Sequence, residues 1–217
     1  METEMIYELR RPRNVVQGEK YPAIFVMHGI GSNEQNMLSL VNGLEDRFFI
    51  FSVRGHLPHG PGFAYFTIEG YGKPHREVFD EGINKLSAFI DYATEKYPVD
   101  SNKVYLMGFS QGAIVSMTLA LSLGSKIKGT VALSGYIPQF VKEEYTINPG
   151  KQLSLFISHG EYDNVLPYEW GKENVEFFTQ LEVPVTFKSY PEGHTVTLEN
   201  LRDFQAWILN DLQRETA

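Results

Sequence analysis

Residues Lys103–Leu123 read KVYLMGFSQGAIVSMTLALSL. The short apolar run Lys103–Met107 stops at Gly108, and the almost wholly apolar stretch Ala113–Leu123 begins just past Gly112. The first has the length and composition of a buried strand, the second those of a buried helix. Between them lies a G-x-S-x-G pattern, Gly108-Phe109-Ser110-Gln111-Gly112. Glycine and serine are common, so the pattern alone says little. Its flanks make it specific, because a strand before and a helix after are what a sharp nucleophile turn requires. Such a turn projects the Ser110 hydroxyl into a cleft, and side chains at 108 and 112 would collide in it. The following helix aims its first N–H groups and its dipole at the same point.

The same alternation runs outward in both directions. Tyr21–Met27, Phe48–Val53, Lys128–Ser134, Gln152–Ser158 and Val185–Tyr190 are further apolar runs closed by turn residues. Continuous apolar strands of this kind are buried on both faces, as in parallel sheets. Arg76–Lys96, Tyr168–Gln180 and Thr195–Asn210 carry apolar residues at helical spacing. Strand, helix, strand in alternation predicts an α/β class with a mostly parallel central sheet and helices on both faces. No repeat, low-complexity tract or linker interrupts the chain, so residues 1–217 are expected to form a single domain. One stretch departs from the pattern. Arg54–His75 is rich in glycine and proline, carries Phe63, Tyr65, Phe66 and Tyr71, and is too long for an ordinary connection. Its aromatics predict a wall of a substrate pocket, formed by Phe63, Tyr65 and Phe66.

Composition narrows the chemistry. The 217 residues contain no cysteine, which removes disulfides, thiolate metal sites and cysteine nucleophiles. A net charge of −8 argues against a nucleic-acid surface. The basic cluster Arg10-Arg11-Pro12-Arg13 is short and reads as a solvated turn. The opening residues lack the apolar core of a signal peptide and no run is long enough to span a membrane, so cytoplasmic residence is expected. His56-x-x-His59 has no helix to align it and no nearby carboxylate, so no metal is expected there. The oligomeric state, monomer or homodimer, stays open.

A serine hydroxyl needs a base. In sheets with this nucleophile turn the partners follow as Ser, then Asp or Glu, then His. Only His159 and His194 follow Ser110. His194 ends Tyr190-Pro191-Glu192-Gly193-His194, between the last strand and the last helix, where a base can reach over the sheet edge. His159, in a His-Gly turn at a strand end, reads as structural. The acid is expected at Asp163, on the loop HGEYDNVLP (159–167) beyond a buried strand, with Glu161 as runner-up. Two N–H donors should stabilise the oxyanion: Gln111, after the nucleophile, and Ile30, in the loop His28-Gly29-Ile30-Gly31-Ser32. His28 lies too early in the chain to be the base and reads as a supporting hydrogen-bonder.

With these residues in place, the sequence resembles the phospholipase/carboxylesterase family of α/β-hydrolases. MHGIGSNE, GFSQG, SHGEYDNVLP and PEGH, spread over nearly the whole chain, carry the resemblance. It implies a minimal hydrolase core with no separate lid domain and cofactor-free hydrolysis of carboxylic esters or thioesters. By motif position it implies Ser110, Asp163 and His194 as nucleophile, acid and base, and Ile30 and Gln111 as oxyanion donors. Family members often have a tryptophan, an aromatic and an acid before the long helix; here Phe63-Ala64-Tyr65-Phe66-Thr67 keeps the aromatics without the acid. The expected substrate is a small acyl ester of short or medium chain length. The alternative is thioesterase or lysophospholipase action on long acyl chains. The complete Ser, Asp and His set disfavours a non-catalytic hydrolase-fold binding protein.

Overall fold

The apolar runs of the sequence lie side by side in one seven-stranded sheet. The computed structural model describes residues 3–214; residues 1–2 and 215–217 of the expected domain lie outside that range. In chain order the elements are β1 (Tyr7–Arg10), β2 (Tyr21–Met27) and β3 (Phe49–Val53). Two small hairpins follow, β4 (Leu57–His59) with β5 (Gly62–Ala64), and β6 (Ile68–Gly70) with β7 (Lys73–Pro74). Next come α1 (Arg76–Lys96), β8 (Val99–Phe109), α2 (Gln111–Ser122), β9 (Gly129–Leu133) and α3 (Gln139–Glu144). The chain continues through β10 (Ser154–Gly160), α4 (Tyr168–Gln180), β11 (Val185–Tyr190) and α5 (Leu198–Gln213). The sheet order is β1-β3-β2-β8-β9-β10-β11, with β1 antiparallel to β3 and every other pair parallel.

The central strands are mostly apolar on both sides because both faces of the sheet are covered. Along β2, Ala23, Phe25 and Met27 join one core cluster while Ile24 and Val26 join the other. Along β8, Val104 and Leu106 separate from Tyr105 and Met107 in the same way. This is the two-residue alternation of strand side chains. Buried side chains of α1, α2 and α4 close the first face, through Phe79, Leu119 and Phe178 among others. Phe204 and Ile208 of α5 and Val41 of a short 3-10 turn close the second. Among the described residues there is no separate lid domain, and no helix is long and apolar enough to cross a membrane.

Differences from the sequence-based expectation have local causes. β1 escapes detection because it is a four-residue strand, Tyr-Glu-Leu-Arg, half in solvent at the sheet edge; Arg10 of the basic cluster ends it. α2 starts at Gln111, not Ala113, because the helix follows the nucleophile turn without a spacer. α5 starts at Leu198 because the Thr197 side chain accepts the Asn200 amide hydrogen bond, an N-cap. The long segment after β3 is ordered into the two hairpins. One is tied to the loop after β2 by hydrogen bonds from the Gly31 amide to the Phe63 carbonyl and from the Phe63 amide to the Ser32 carbonyl.

Candidate active site

Parallel strands place their carboxyl ends on one edge, and the loops leaving β2, β8, β10 and β11 all emerge there. Ser110 sits at the end of β8 with φ 54° and ψ −118°, in a region that non-glycine residues rarely occupy. The turn is held because β8 and α2 meet at glycines. A Cβ on Gly108 would lie 2.1 Å from the Gly112 carbonyl carbon, and one on Gly112 would lie 2.0 Å from the Met27 carbonyl oxygen. Any side chain at either position would force the helix off the sheet, as the motif predicts.

Three expected side chains converge across 84 residues of sequence. His194 Nε2 is 2.9 Å from Ser110 Oγ, and His194 Nδ1 is 2.6 Å from Asp163 Oδ2. The second Asp163 oxygen accepts the amides of Val165 and Leu166, both at 2.9 Å. Burial alone would raise the Asp163 pKa; the His194 hydrogen bond and the two amides outweigh it and hold the carboxyl below its ordinary range. An ionised Asp163 accepts a hydrogen bond from Nδ1–H, which leaves the Nε2 lone pair facing the serine hydroxyl. Phe109 packs on the imidazole, with ring centroids 4.8 Å apart.

The remaining candidates separate cleanly. Glu161 is exposed and accepts a hydrogen bond from the Ser189 hydroxyl. His159 is buried beneath the acid. Its Nε2 is 2.9 Å from the Leu166 carbonyl oxygen and 3.4 Å from Asp163 Oδ2. Burial lowers its pKa. His28 is fully buried, with Nδ1 2.8 Å from the Gly29 carbonyl and Nε2 accepting the Gly55 amide at 2.9 Å. That arrangement makes it neutral, and burial again lowers its pKa. His56 packs 3.9 Å from Glu81, and His59 is exposed at the end of β4. Ile30 and Gln111 line the same cavity as Ser110, and neither backbone N–H has a hydrogen-bond partner among the described residues.

A cavity of about 250 Å³ opens beside Ser110 and His194. Phe66 lines it. Phe63 and Tyr65 do not, which corrects the expected pocket wall. Phe63 instead lies under the Arg54 guanidinium, 4.4 Å from its ring centroid, a cation–π contact that turns it away. Tyr65 is fully buried, because its hydroxyl is taken by main-chain groups of β3 and the loop after β2. Residues that the sequence reading passed over complete the wall. Ile114 stands one helical turn beyond Ser110, and Val165 and Leu166 follow the acid. Tyr136 comes from the loop after β9 and Ile68 from the second hairpin, where Tyr71, already named among the aromatics of that stretch, lines the cavity as well. Of the residues passed over, only Ile114 had a signal: its four-residue spacing from the nucleophile on a helix.

Comparison with known proteins finds similarity along most of the chain. The family model described as phospholipase/carboxylesterase matches residues 14–210. Acyl-protein thioesterase 1 of Candida albicans is 30% identical over 215 residues, covering 88% of this chain and 93% of that protein. Lysophospholipase-like protein 1 of Mus musculus is 26% identical over 225 residues, covering 94% of each. Among solved structures, a carboxylesterase of Bacillus cereus superposes with a TM-score of 0.85 at 22% identity, covering 96% of this chain and 95% of that one.

Proposed function

Because the chain belongs to the phospholipase/carboxylesterase family of α/β-hydrolases, we propose that it hydrolyses acyl esters through a covalent intermediate on Ser110. The 2.9 Å contact of His194 Nε2 with Ser110 Oγ carries the reading. Ser110 Oγ attacks the acyl carbon as its proton passes to His194 Nε2. The carbonyl oxygen becomes an oxyanion, and the Ile30 and Gln111 amides donate to it. Asp163 holds the imidazole in one tautomer and stabilises its protonated form. When the tetrahedral intermediate collapses, the bond to the leaving oxygen or sulfur breaks and His194 returns the proton to it. Water then repeats the sequence on the acyl-serine, with His194 as base, and releases the acid. No cofactor enters these steps.

The cavity favours short or medium acyl chains. Its volume of about 250 Å³ lies below the ~300–1,000 Å³ range of drug-sized ligand sites, and its walls are mostly apolar. A second reading has its own support: relatives named acyl-protein thioesterase and lysophospholipase-like protein cover most of the chain. On that reading the acyl chain is longer and the leaving atom can be sulfur. Matched oxygen esters and thioesters of two to sixteen carbons separate the two by kcat/KM. Ser110→Ala is expected to abolish turnover and labelling by a fluorophosphonate, leaving roughly the 10³–10⁴-fold acceleration over water that other groups provide. A variant that retained a tenth of wild-type kcat would exclude Ser110 as the nucleophile.

A further inference from the structure

The two proposed oxyanion donors sit on separate elements. Ile30 belongs to the loop after β2, and Gln111 opens α2 beyond β8. Their separation must match one oxygen atom, and a displacement of about 1 Å can cost on the order of 10²-fold in rate. A third segment touches both. The Gln111 side chain accepts the Tyr65 amide at 2.7 Å and donates to the Phe66 carbonyl at 2.8 Å. Two residues earlier, Phe63 exchanges main-chain hydrogen bonds with Gly31 and Ser32, directly after Ile30. Residues 63–66 therefore cross from one half of the oxyanion site to the other.

Tyr65 makes this crosspiece specific to a tyrosine. Its hydroxyl donates to the Val53 carbonyl at 2.6 Å and accepts the His28 amide at 3.1 Å. Met27 and Val53 are the last paired residues of β2 and β3, so these two groups lie at the end of their ladder. The hydroxyl spans that opening. Its ring lies against the His28 ring, with centroids 4.8 Å apart, and His28 in turn bonds Gly29 and Gly55. Burial raises the phenol pKa, so the group stays neutral and can donate and accept together. A phenylalanine would fill the same volume but leave a buried N–H and a buried C=O unpaired.

We propose that Tyr65 is a positioning residue that sets the spacing of the Ile30 and Gln111 amides: its hydroxyl holds His28 at the start of the loop that carries Ile30, and its own amide holds the Gln111 side chain. The proposal rests on the assignment of those amides as oxyanion donors. It is tested with Tyr65→Phe and with Gln111→Met, which removes the side-chain clamp but keeps the backbone N–H. Each is expected to lower kcat by roughly 10- to 100-fold, below or near the loss of a whole oxyanion donor, with KM changed by less than about threefold, as befits an interaction expressed in the transition state. The inhibition constant of an alkyl boronic acid, which forms a tetrahedral adduct on the serine, should weaken by the same factor. If Tyr65→Phe fails to fold, Gln111→Met carries the test alone. Phe89→Leu, a core change against Phe25 and Phe51, controls for destabilisation. Wild-type kcat in the folded variants, or an equal kcat loss in Phe89→Leu, would overturn the proposal. Wild-type protein inert to esters, thioesters and boronate would overturn the oxyanion assignment and the proposal together.

Discussion

At the scale of single residues, the proposal of Asp163 rather than Glu161 as the acid rests on burial and partners. The Asp163 side chain is fully buried, and both its oxygens are engaged, one by His194 and one by two amides. Glu161 is two positions away but faces solvent. Asp163→Asn keeps the shape of the acid while presenting an amide to Nδ1, which favours the wrong imidazole tautomer. The expected loss in kcat is about 10⁴-fold, by analogy with the same change in other serine hydrolases. Glu161→Gln keeps an oxygen that can accept from the Ser189 hydroxyl at an exposed contact and should leave kcat within about twofold, in keeping with the small net worth of a hydrogen bond in solvent. Steady-state kinetics on one ester decides between them: equal losses would leave the acid unassigned, and a larger loss at Glu161 would reverse the assignment.

At the scale of elements, the segment between β3 and α1 divides its aromatics between different tasks. Phe66 lines the cavity, whereas the Phe63 ring stacks under Arg54, whose guanidinium also pairs with buried Glu34 at 2.7 Å through Nε. Truncating Phe66 should deepen the acyl pocket. Each added buried CH₂ is worth about 0.8 kcal/mol, so two further carbons could favour the longer ester by about 1.6 kcal/mol, roughly 15-fold in kcat/KM. Phe66→Ala is thus expected to move the chain-length optimum upward, while Phe63→Ala keeps the wild-type profile. Measuring kcat/KM on acetate, butyrate, hexanoate and octanoate esters checks both. An unchanged profile in Phe66→Ala would mean that the hairpin refills the space, and a shifted one in Phe63→Ala would place its ring in the pocket.

At the scale of the whole molecule, buried histidines couple stability to pH. His28, His56 and His159 are each pushed below the ordinary histidine pKa by burial. In the unfolded chain they take up protons first as pH falls through about 6.5. Their neutral burial therefore costs nothing above that pH, and the folded state loses stability as pH drops below it toward their folded pKa values. Asp163, whose folded pKa is depressed, adds a loss in the same direction at lower pH, below about 4. The melting temperature is expected to fall from pH 7.5 to pH 5.5, and His159→Gln should reduce that fall. A melting temperature that is flat or rises over the interval would show that these histidines are protonated in the folded protein.

What the sequence determined by itself was the local and the ordered. Strand and helix periods follow from which residues must face a core, so Tyr21–Met27, Arg76–Lys96, Tyr168–Gln180 and Val185–Tyr190 were legible to the residue. The turn at Ser110 was legible because its two glycines are demanded by contacts a few residues away. Parallel strands all end on one edge, so chain order was enough to nominate Asp163 and His194 as neighbours of Ser110. The edge strand β1 was not legible, since four half-exposed residues carry too little pattern. Nor was the division of Phe63, Tyr65 and Phe66 between a guanidinium, a strand end and a cavity. All three are aromatic residues in one loop, and their surroundings come from Arg54, Val53, His28 and Gln111. Only the tertiary structure could decide it, because a side chain with a polar tip or a π face points toward whichever distant group completes it.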